Sequence, residues 1–387
     1  MTAQVVVRPV RTAADLRAFV GLPYRLHRRD PLWVPQLRLD VRKMLSRPKN
    51  PFFQHAEAEY FLAQRSAGPP DRPGSGDGGG GGEVGGRIAA IHNRAHNQFH
   101  QDTVGFFGFF ECVNDPDVAT ALFDAAAAWL RGRGLTVMRG PASFSTNDEC
   151  GLLVQGFETP PTILNAHNPP YYVPLVERAG FAKAKDLIQY QSVDPEMPER
   201  LVRGAKLIAE RKGITLRRLD MKHFADEVER IKRVYNQAWE KNWGFVPMTD
   251  AEIDHLAAQL KPVVVPDLVV FAEREGQTIG FAAALPDLNV ALKANPSGRL
   301  FPGILKVLWA ARRLTRVRIL LLGLLKDYRM SGADALMYHW IWEKGRALGY
   351  TWGEAGWILD DNTPMSNALV RMGFRPYKTL RMYDRPL

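Results

Sequence analysis

Arg329 and Gly332 lie three residues apart in a turn, Tyr328-Arg329-Met330-Ser331-Gly332-Ala333, between a run that reads as a strand and a run that reads as a helix. Residues of these types at this spacing suit phosphate binding. A helix N-terminus offers backbone N–H groups without intrahelical partners and a partial positive charge. Glycine lets the backbone approach a ligand closely, and arginine adds a charge-assisted hydrogen bond. The expected contacts are Leu324 at the strand end, then Arg329, Met330, Ser331, Gly332 and Ala333, and Asn362 further along. Asp334 counts against the site, because a carboxylate beside a pyrophosphate is unfavourable unless it points away. An ordinary strand-to-helix turn is the competing reading.

Three other groups of residues suit proton transfer. Glu354 stands in an otherwise apolar run, Trp352-Gly353-Glu354-Ala355-Gly356-Trp357. Burial would raise its pKa toward that of a general base, whereas an arginine partner would make it structural. His92, His96 and His100 are four apart, a spacing that on a helix would resemble a metal constellation. The run leaves a strand and holds no carboxylate, so no metal is expected; a histidine base or a polar loop remains. The loop from Gly140 to Gly151 contains Asn147 and Glu149, the latter a candidate proton acceptor. Asn168, Tyr171 and Tyr172 follow in Asn165 to Tyr172 and are candidates, with Asn147, for holding an acceptor. The alternative is a loop whose side chains cap its own backbone. Nothing adjacent marks Cys150 as an activated nucleophile.

The surrounding periodicity predicts the elements that must position these residues. Ile319 to Leu325 is a strand, Ala333 to Leu348 a helix, Trp352 to Leu359 a strand, and a short helix then ends at Gly373-Phe374. The first half has the same order: a strand Gly105 to Val113, a helix Val118 to Gly132, a strand Leu135 to Pro141, and a short helix closed by Gly180-Phe181. The chain therefore reads as an internal repeat. Its expected domains are 1–197 and 198–387, with a seam near Glu196 to Leu201 where Pro195 and Pro198 interrupt regular structure. The Gly-rich stretch 66–86 predicts a flexible loop at the tip of a strand pair. Between the halves' common elements lies one addition, Phe301 to Leu314, apolar on one side and basic at its end. It is too short and too charged to span a bilayer. It suits either an interfacial amphipathic helix or a helix packed on its domain.

The 387 residues include 51 Lys and Arg against 41 Asp and Glu, a formal charge of +10. That balance suits a polyanionic ligand, an anionic membrane surface or nucleic acid. The basic residues are spread along the chain, and no Lys/Arg-rich arm is evident, so no nucleic acid is expected. Cys112 and Cys150 are the only cysteines, which argues against a disulfide scaffold. The first residues read as a strand without the apolar run of a signal peptide. The expected compartment is a reducing cytoplasm, with peripheral contact at the inner membrane allowed.

Strand, Arg-x-x-Gly-x turn, helix, strand, Asn, helix and Gly-Phe resemble the core of the GNAT (Gcn5-related N-acyltransferase) fold. The whole chain is similar to bacterial tandem-GNAT N-acyltransferases, and among them to the bacterial ceramide synthases. Six stretches carry this likeness: Asp30-Pro31-Leu32-Trp33-Val34-Pro35, Lys49 to Ala56, His92 to His100, Gly105 to Glu111, Thr146 to Gly151, and Asn168-Pro169-Pro170-Tyr171-Tyr172. The resemblance implies two tandem GNAT-like α/β domains, with a mixed sheet in each. It implies acyl-CoA as co-substrate, held by the C-terminal half, and a lipidic amine acceptor met by polar groups of the N-terminal half. The tyrosine that many GNATs place four residues before the Gly-Phe glycine is absent: Val176 and Leu369 stand there. The general base is open among Glu354, Glu149, His92 and His96. Two other functions stay open: an aminoacyl-tRNA-dependent transferase, and a non-catalytic acyl-CoA or lipid-binding protein.

Overall fold

The computed structural model describes residues 4–65, 82–192, 198–240, 242–329 and 331–387. Most of the stretch expected as a Gly-rich loop, the residues on the N-terminal side of the seam, and Met330 lie outside them. The elements run β1 (Val5–Pro9), α1 (Ala13–Leu26), α2 (Arg38–Met44), β2 (Ala56–Arg65), β3 (Val84–Asn93), α3 (Arg94–His100), β4 (Val104–Cys112), α4 (Pro116–Arg131), β5 (Val137–Gly140), β6 (Ala142–Ser143), β7 (Glu149–Cys150), β8 (Leu152–Gln155), α5 (Tyr172–Arg178) and β9 (Ala182–Ser192). They continue as α6 (Glu199–Arg211), β10 (Ile214–Arg218), α7 (Phe224–Ala238), α8 (Asp250–Leu260), β11 (Val269–Arg274), β12 (Gln277–Pro286), α9 (Leu288–Leu292), α10 (Gly303–Ala311), β13 (Arg316–Leu324), α11 (Ala333–Ala347), β14 (Trp352–Leu359), α12 (Thr363–Arg371) and β15 (Phe374–Pro386).

The chain forms two compact units. Unit 1 comprises residues 1–186, 295–304 and 380–387; unit 2 comprises 187–294 and 305–379. In unit 1, β1, β2, β3 and β4 are antiparallel neighbours, β4 and β5 are parallel, and the end of β15 pairs antiparallel with β5 through Tyr383↔Gly140. In unit 2, β10, β11, β12 and β13 are antiparallel neighbours, β13 and β14 are parallel, and the end of β9 pairs antiparallel with β14 through Gly353↔Ser192. The two sheets have the same plan. Each is completed by a strand from the other half of the sequence: β9 begins in unit 1 and ends in unit 2, and β15 does the reverse.

Local chemistry explains most boundaries. Asp115 caps α4 by accepting the Asp117 N–H, and Pro116 follows at the first helical position. Val118, Leu122, Ala126 and Leu130 then form its buried stripe beneath the unit 1 sheet. In unit 2, Met337 and Ile341 of α11 pack with Ile319, Ala355 and Phe374. Three helices depart from the sequence reading. The residues 94–100, read as part of a polar run leaving a strand, form α3, because the Asn93 side chain accepts the His96 N–H and starts a helix. Helix α1 was hidden by Pro23 but is started by a Thr12–Asp15 capping box. Helix α6 is strongly charged and buries only Ala205 and Ala209.

Candidate functional site

In unit 2 the parallel strands β13 and β14 pair only over Arg316–Ile319 and Trp352–Ala355. Beyond that they part. β13 continues to Leu324 with β12 as its partner, Leu324 opposite Gly280. β14 shifts register at Gly356-Trp357 and continues against β9, Ile358 opposite Ile188. Along Leu320 to Leu324, one edge of β13 therefore presents peptide groups with no strand partner among the described residues. An extended ligand that carries amides can pair with such an edge.

The turn after β13 leads to the N-terminus of α11. Gly332 is the capping residue, with φ 77°, and the Ala333 N–H donates to the Ser331 hydroxyl at 3.3 Å. The left-handed backbone explains the glycine. So does packing, since a Cβ there would lie 3.1 Å from the Ala205 Cα of α6. Arg329 is exposed and donates Nη2 to the Ala238 carbonyl at 2.8 Å, at the end of α7. The guanidinium has five N–H donors, so the same side chain still has others to offer an anion. Leu324 is buried in the ladder, and Asn362 caps α12 through the Met365 N–H at 3.3 Å. Asp334 lies in the first turn of α11. One turn on, burial and then the Asp334 charge push the Tyr338 phenol up.

Glu354 is fully buried. Arg318 Nε lies 3.2 Å from one carboxylate oxygen, and the Tyr377 hydroxyl donates to the other. Arg318 Nη2 also donates to the Gly356 carbonyl at 3.0 Å. Burial first, and the Glu354 charge second, push the Tyr377 phenol far up. These are the contacts of a structural ion pair. Nearby on β9, opposite the register shift of β14, Gln189 is fully buried, and neither its amide oxygen nor its nitrogen has a partner among the described residues. A buried amide left this way costs stability unless water or a ligand supplies the bonds.

The corresponding place in unit 1 is filled. There β4 and β5 part beyond Phe106 and Arg139. Strand β6 lies against Gly108, where a Cβ would meet the Ala142 carbonyl oxygen at 2.0 Å. The Phe109 N–H donates to the Ser143 hydroxyl at 3.1 Å, and the Cys112 N–H to the Tyr172 hydroxyl at 2.9 Å. Side chains of unit 1 thus take up part of the β4 edge that a ligand would need.

Unit 1 instead holds a buried ionic cluster centred on Glu111. His27 Nε2 lies 2.6 Å from Glu111, the Tyr172 hydroxyl donates to it at 2.7 Å, and Arg87 Nη2 lies 3.6 Å away. Burial pushes the Glu111 carboxyl up, but His27, Arg87 and Tyr172 outweigh it and hold the group below its ordinary range. Burial and then the Glu111 charge raise the Tyr172 phenol well above its ordinary value. Asp30 pairs with His167 at 2.8 Å, and Trp33 lies against His27 with ring centroids 5.6 Å apart. His27 Nδ1 has no partner among the described residues. A carboxylate that holds one imidazole nitrogen leaves the other free to accept a proton, the arrangement that orients histidine bases.

Of the residues singled out in the sequence, Tyr171, Tyr172 and Glu149 come to this cluster or its rim. Tyr171 donates to the Cys112 carbonyl at 2.9 Å, and its phenol is pushed up to about 12 by burial and then by the Cys112 and Glu111 charges. Glu149 is half-buried, accepts from Gln36 at 3.4 Å and contributes to the field at Arg87. Asn168 is buried and clamps Leu153, accepting its N–H at 2.7 Å and donating to its carbonyl at 3.2 Å. Asn147 is half-buried, and its backbone N–H donates to Ser145. His27, Asp30, Arg87 and Glu111 were not singled out. Their signal was faint: Asp30 and Glu111 belong to stretches that carry the family likeness, and His27 lies just before one.

His92 and His96 make their contacts elsewhere. His92 Nδ1 lies 3.8 Å from Glu57, and burial lowers its pKa. His96 is 1% exposed, lies 3.2 Å from Asp102 and has its ring centroid 4.4 Å from that of His100, the two rings tilted. Burial pulls its pKa down to about 4, only partly offset by Asp102. Between about pH 6.5 and 4 the unfolded chain therefore binds a proton that the folded chain does not, and stability falls with acidification across that window, by on the order of 3 kcal/mol in all. In urea melts at pH 6.5 and pH 4, the loss should shrink in His96→Gln; equal losses in both proteins would remove His96 as the cause. Among the described residues no group of three or more His, Cys, Asp or Glu is placed to hold a metal ion. No helix among them is long and apolar enough to cross a membrane.

No family model matches the chain. A bacterial ceramide synthase of Caulobacter vibrioides is 38% identical over 100% of this chain and 98% of its own length. Protein YghO of Escherichia coli is 33% identical over 99% of this chain and 96% of its own. Among solved structures, a tandem GNAT protein from the clavulanic acid biosynthesis pathway aligns over 99% of this chain and 98% of its own, with a TM-score of 0.56 at 10% identity. A GCN5-related N-acetyltransferase from Sphaerobacter thermophilus aligns over 99% and 95%, with a TM-score of 0.51 at 12% identity. The structural likenesses carry the fold: two GNAT-like α/β domains in tandem. With the partly unpaired β13 edge leading to the α11 N-terminus, and with full-length identity to both curated relatives, the chain belongs to the bacterial tandem-GNAT N-acyltransferase family that includes the Caulobacter ceramide synthase.

Proposed function

We propose that this protein moves a long-chain acyl group from acyl-CoA to the amine of a sphingoid base. The full-length identity to a bacterial ceramide synthase carries the reading, and the contrast between the two units supports a division of tasks. Unit 2 has the unpaired β13 edge and the helix N-terminus, so it takes the CoA thioester: pantetheine amides along Leu320 to Leu324, pyrophosphate at Arg329 to Ala333. Unit 1 has its own edge partly filled and a polar cluster instead, so it takes the acceptor. On this reading the halves 1–197 and 198–387 are copies of one ancestral domain.

The amine of a sphingoid base is mostly protonated at neutral pH and must lose a proton to attack. His27, held at Nε2 by Glu111, accepts that proton at Nδ1. The amine nitrogen attacks the thioester carbonyl, the C–N bond forms, the C–S bond breaks, and the CoA thiolate leaves and takes up a proton. Backbone N–H groups of the β13 edge stabilise the oxyanion. Glu149 is the second candidate base. Glu354, with both oxygens occupied, holds the β13–β14 junction together.

The test is lipid mass spectrometry on purified protein given a long-chain acyl-CoA and a sphingoid base. An N-acylated product that depends on the protein is expected. Binding of the thioester without turnover on any amine would favour a non-catalytic lipid-binding protein. Loss of activity on adding ribonuclease would favour the aminoacyl-tRNA route.

A further inference from the structure

Helix α10 belongs to neither repeated plan and exposes its apolar face. Leu305 is 65% exposed, Leu308 57% and Trp309 59%, and Phe301, in the turn before, is 72% exposed. Their positions follow the i, i+4, i+7, i+8 spacing of one helix face. The face is held in place. In unit 1, Asn295 is buried, donates to the Arg299 carbonyl at 2.8 Å and packs so closely on Gly303 that a Cβ there would lie 2.2 Å from its amide nitrogen. Arg38 binds the Ser297 carbonyl at 2.8 Å. The helix start is thus tied down while its apolar side chains stay in water.

The charge around the face has one sign. From Leu288 to Lys326 the chain has eight basic residues and no acidic one, whereas 41 acidic residues occur in the whole. Lys306 lies within the helix, and Arg312 and Arg313 follow it; the Arg313 guanidinium lies 4.4 Å from the centre of the Trp309 ring. Beneath the face, within unit 2, a shallow groove of about 380 Å³ is lined by Ala294, Leu305, Lys306, Trp309 and Ala310. Aromatic and aliphatic side chains ringed by Lys and Arg match the chemistry of an acyl-chain boundary beneath anionic headgroups. A second copy of the chain would bring the same positive charge to the contact, which disfavours self-association.

We infer that α10 is a docking element for an anionic lipid surface: Phe301, Leu305, Leu308 and Trp309 enter the headgroup boundary, and Lys306, Arg312 and Arg313 meet lipid phosphates. The docking stands on exposure and charge alone; its purpose, delivery of lipidic substrates, rests on the acyl-transfer reading. At nine residues the helix lies on the membrane and does not span it.

The test is sedimentation with vesicles of phosphatidylcholine alone and of phosphatidylcholine with phosphatidylglycerol. The protein should bind the anionic vesicles, and bind them less as salt rises. Leu305→Ser with Trp309→Ser should weaken binding by roughly tenfold or more, and Arg312→Glu with Arg313→Glu by a similar factor. Leu348→Ser, a control at an exposed leucine elsewhere, should change nothing. Equal binding to both vesicle types, or no effect of either double variant, overturns the inference. So does a concentration-dependent dimer that the Ser variant abolishes while vesicles go unbound. The two readings separate in one further assay: with a short-chain acyl-CoA and a water-soluble amine, and no vesicles, the α10 variants should turn over as the parent does. Vesicle binding with no acylation of any amine would remove the acyl-transfer reading and leave the docking intact.

Discussion

Arg329→Glu should weaken acyl-CoA binding by roughly a hundredfold, or about 2.8 kcal/mol. The side chain is exposed, so the fold should survive its reversal. The loss has two parts, a charge-assisted bond to phosphate and a new repulsion at the same place. Asp334→Asn should act in the opposite direction. Removing the carboxylate from the first turn of α11 relieves repulsion of the pyrophosphate, and affinity should rise severalfold, at a small cost in helix stability. Isothermal titration with a non-hydrolysable acyl-CoA analogue reads both. If Arg329→Glu binds as tightly as the parent, the CoA does not lie at the α11 N-terminus. Gly332 is a poorer probe, because any Cβ there also disturbs Ala205 of α6.

His27→Gln should lower kcat by roughly 10²- to 10⁴-fold, the range for loss of a general base, with little change in KM for acyl-CoA. Glutamine can still donate to Glu111 and so keeps the buried carboxylate paired. It cannot accept the amine proton. A loss in kcat with the KM for acyl-CoA unchanged is the split that a purely structural His27 would not give. An unchanged kcat would move the base to Glu149, for which Glu149→Gln is the matching variant.

Much of the fold was legible because its elements are strongly periodic and clearly capped. The strand Trp352–Leu359 forms with the bounds its apolar run implied, and Asp115 and Asn362 cap the helices they precede. The turn before α11 was legible for the same reason, since a positive-φ glycine before a helix is a local requirement. The unit 1 cluster was not. Its members come from the C-cap of α1, β3, β4 and the first residue of α5, and no local pattern links His27 to Glu111, 84 residues apart. Glu354 shows the limit from the other side. Its burial was foreseeable from the strand, but its partners Arg318 and Tyr377 come from β13 and β15, and they decide what it can do.

The exchanged strands β9 and β15 bear on synthesis as well as shape. Unit 1 needs residues 380–387 to complete its sheet, so the first part of the chain to emerge from a ribosome is the last to close. Until then β5 has a bare edge, through which nascent chains aggregate. Loss of residues 380–387 would therefore injure the N-terminal unit, where His27 and Glu111 reside, while leaving Arg329, Gly332 and Ala333 covalently intact.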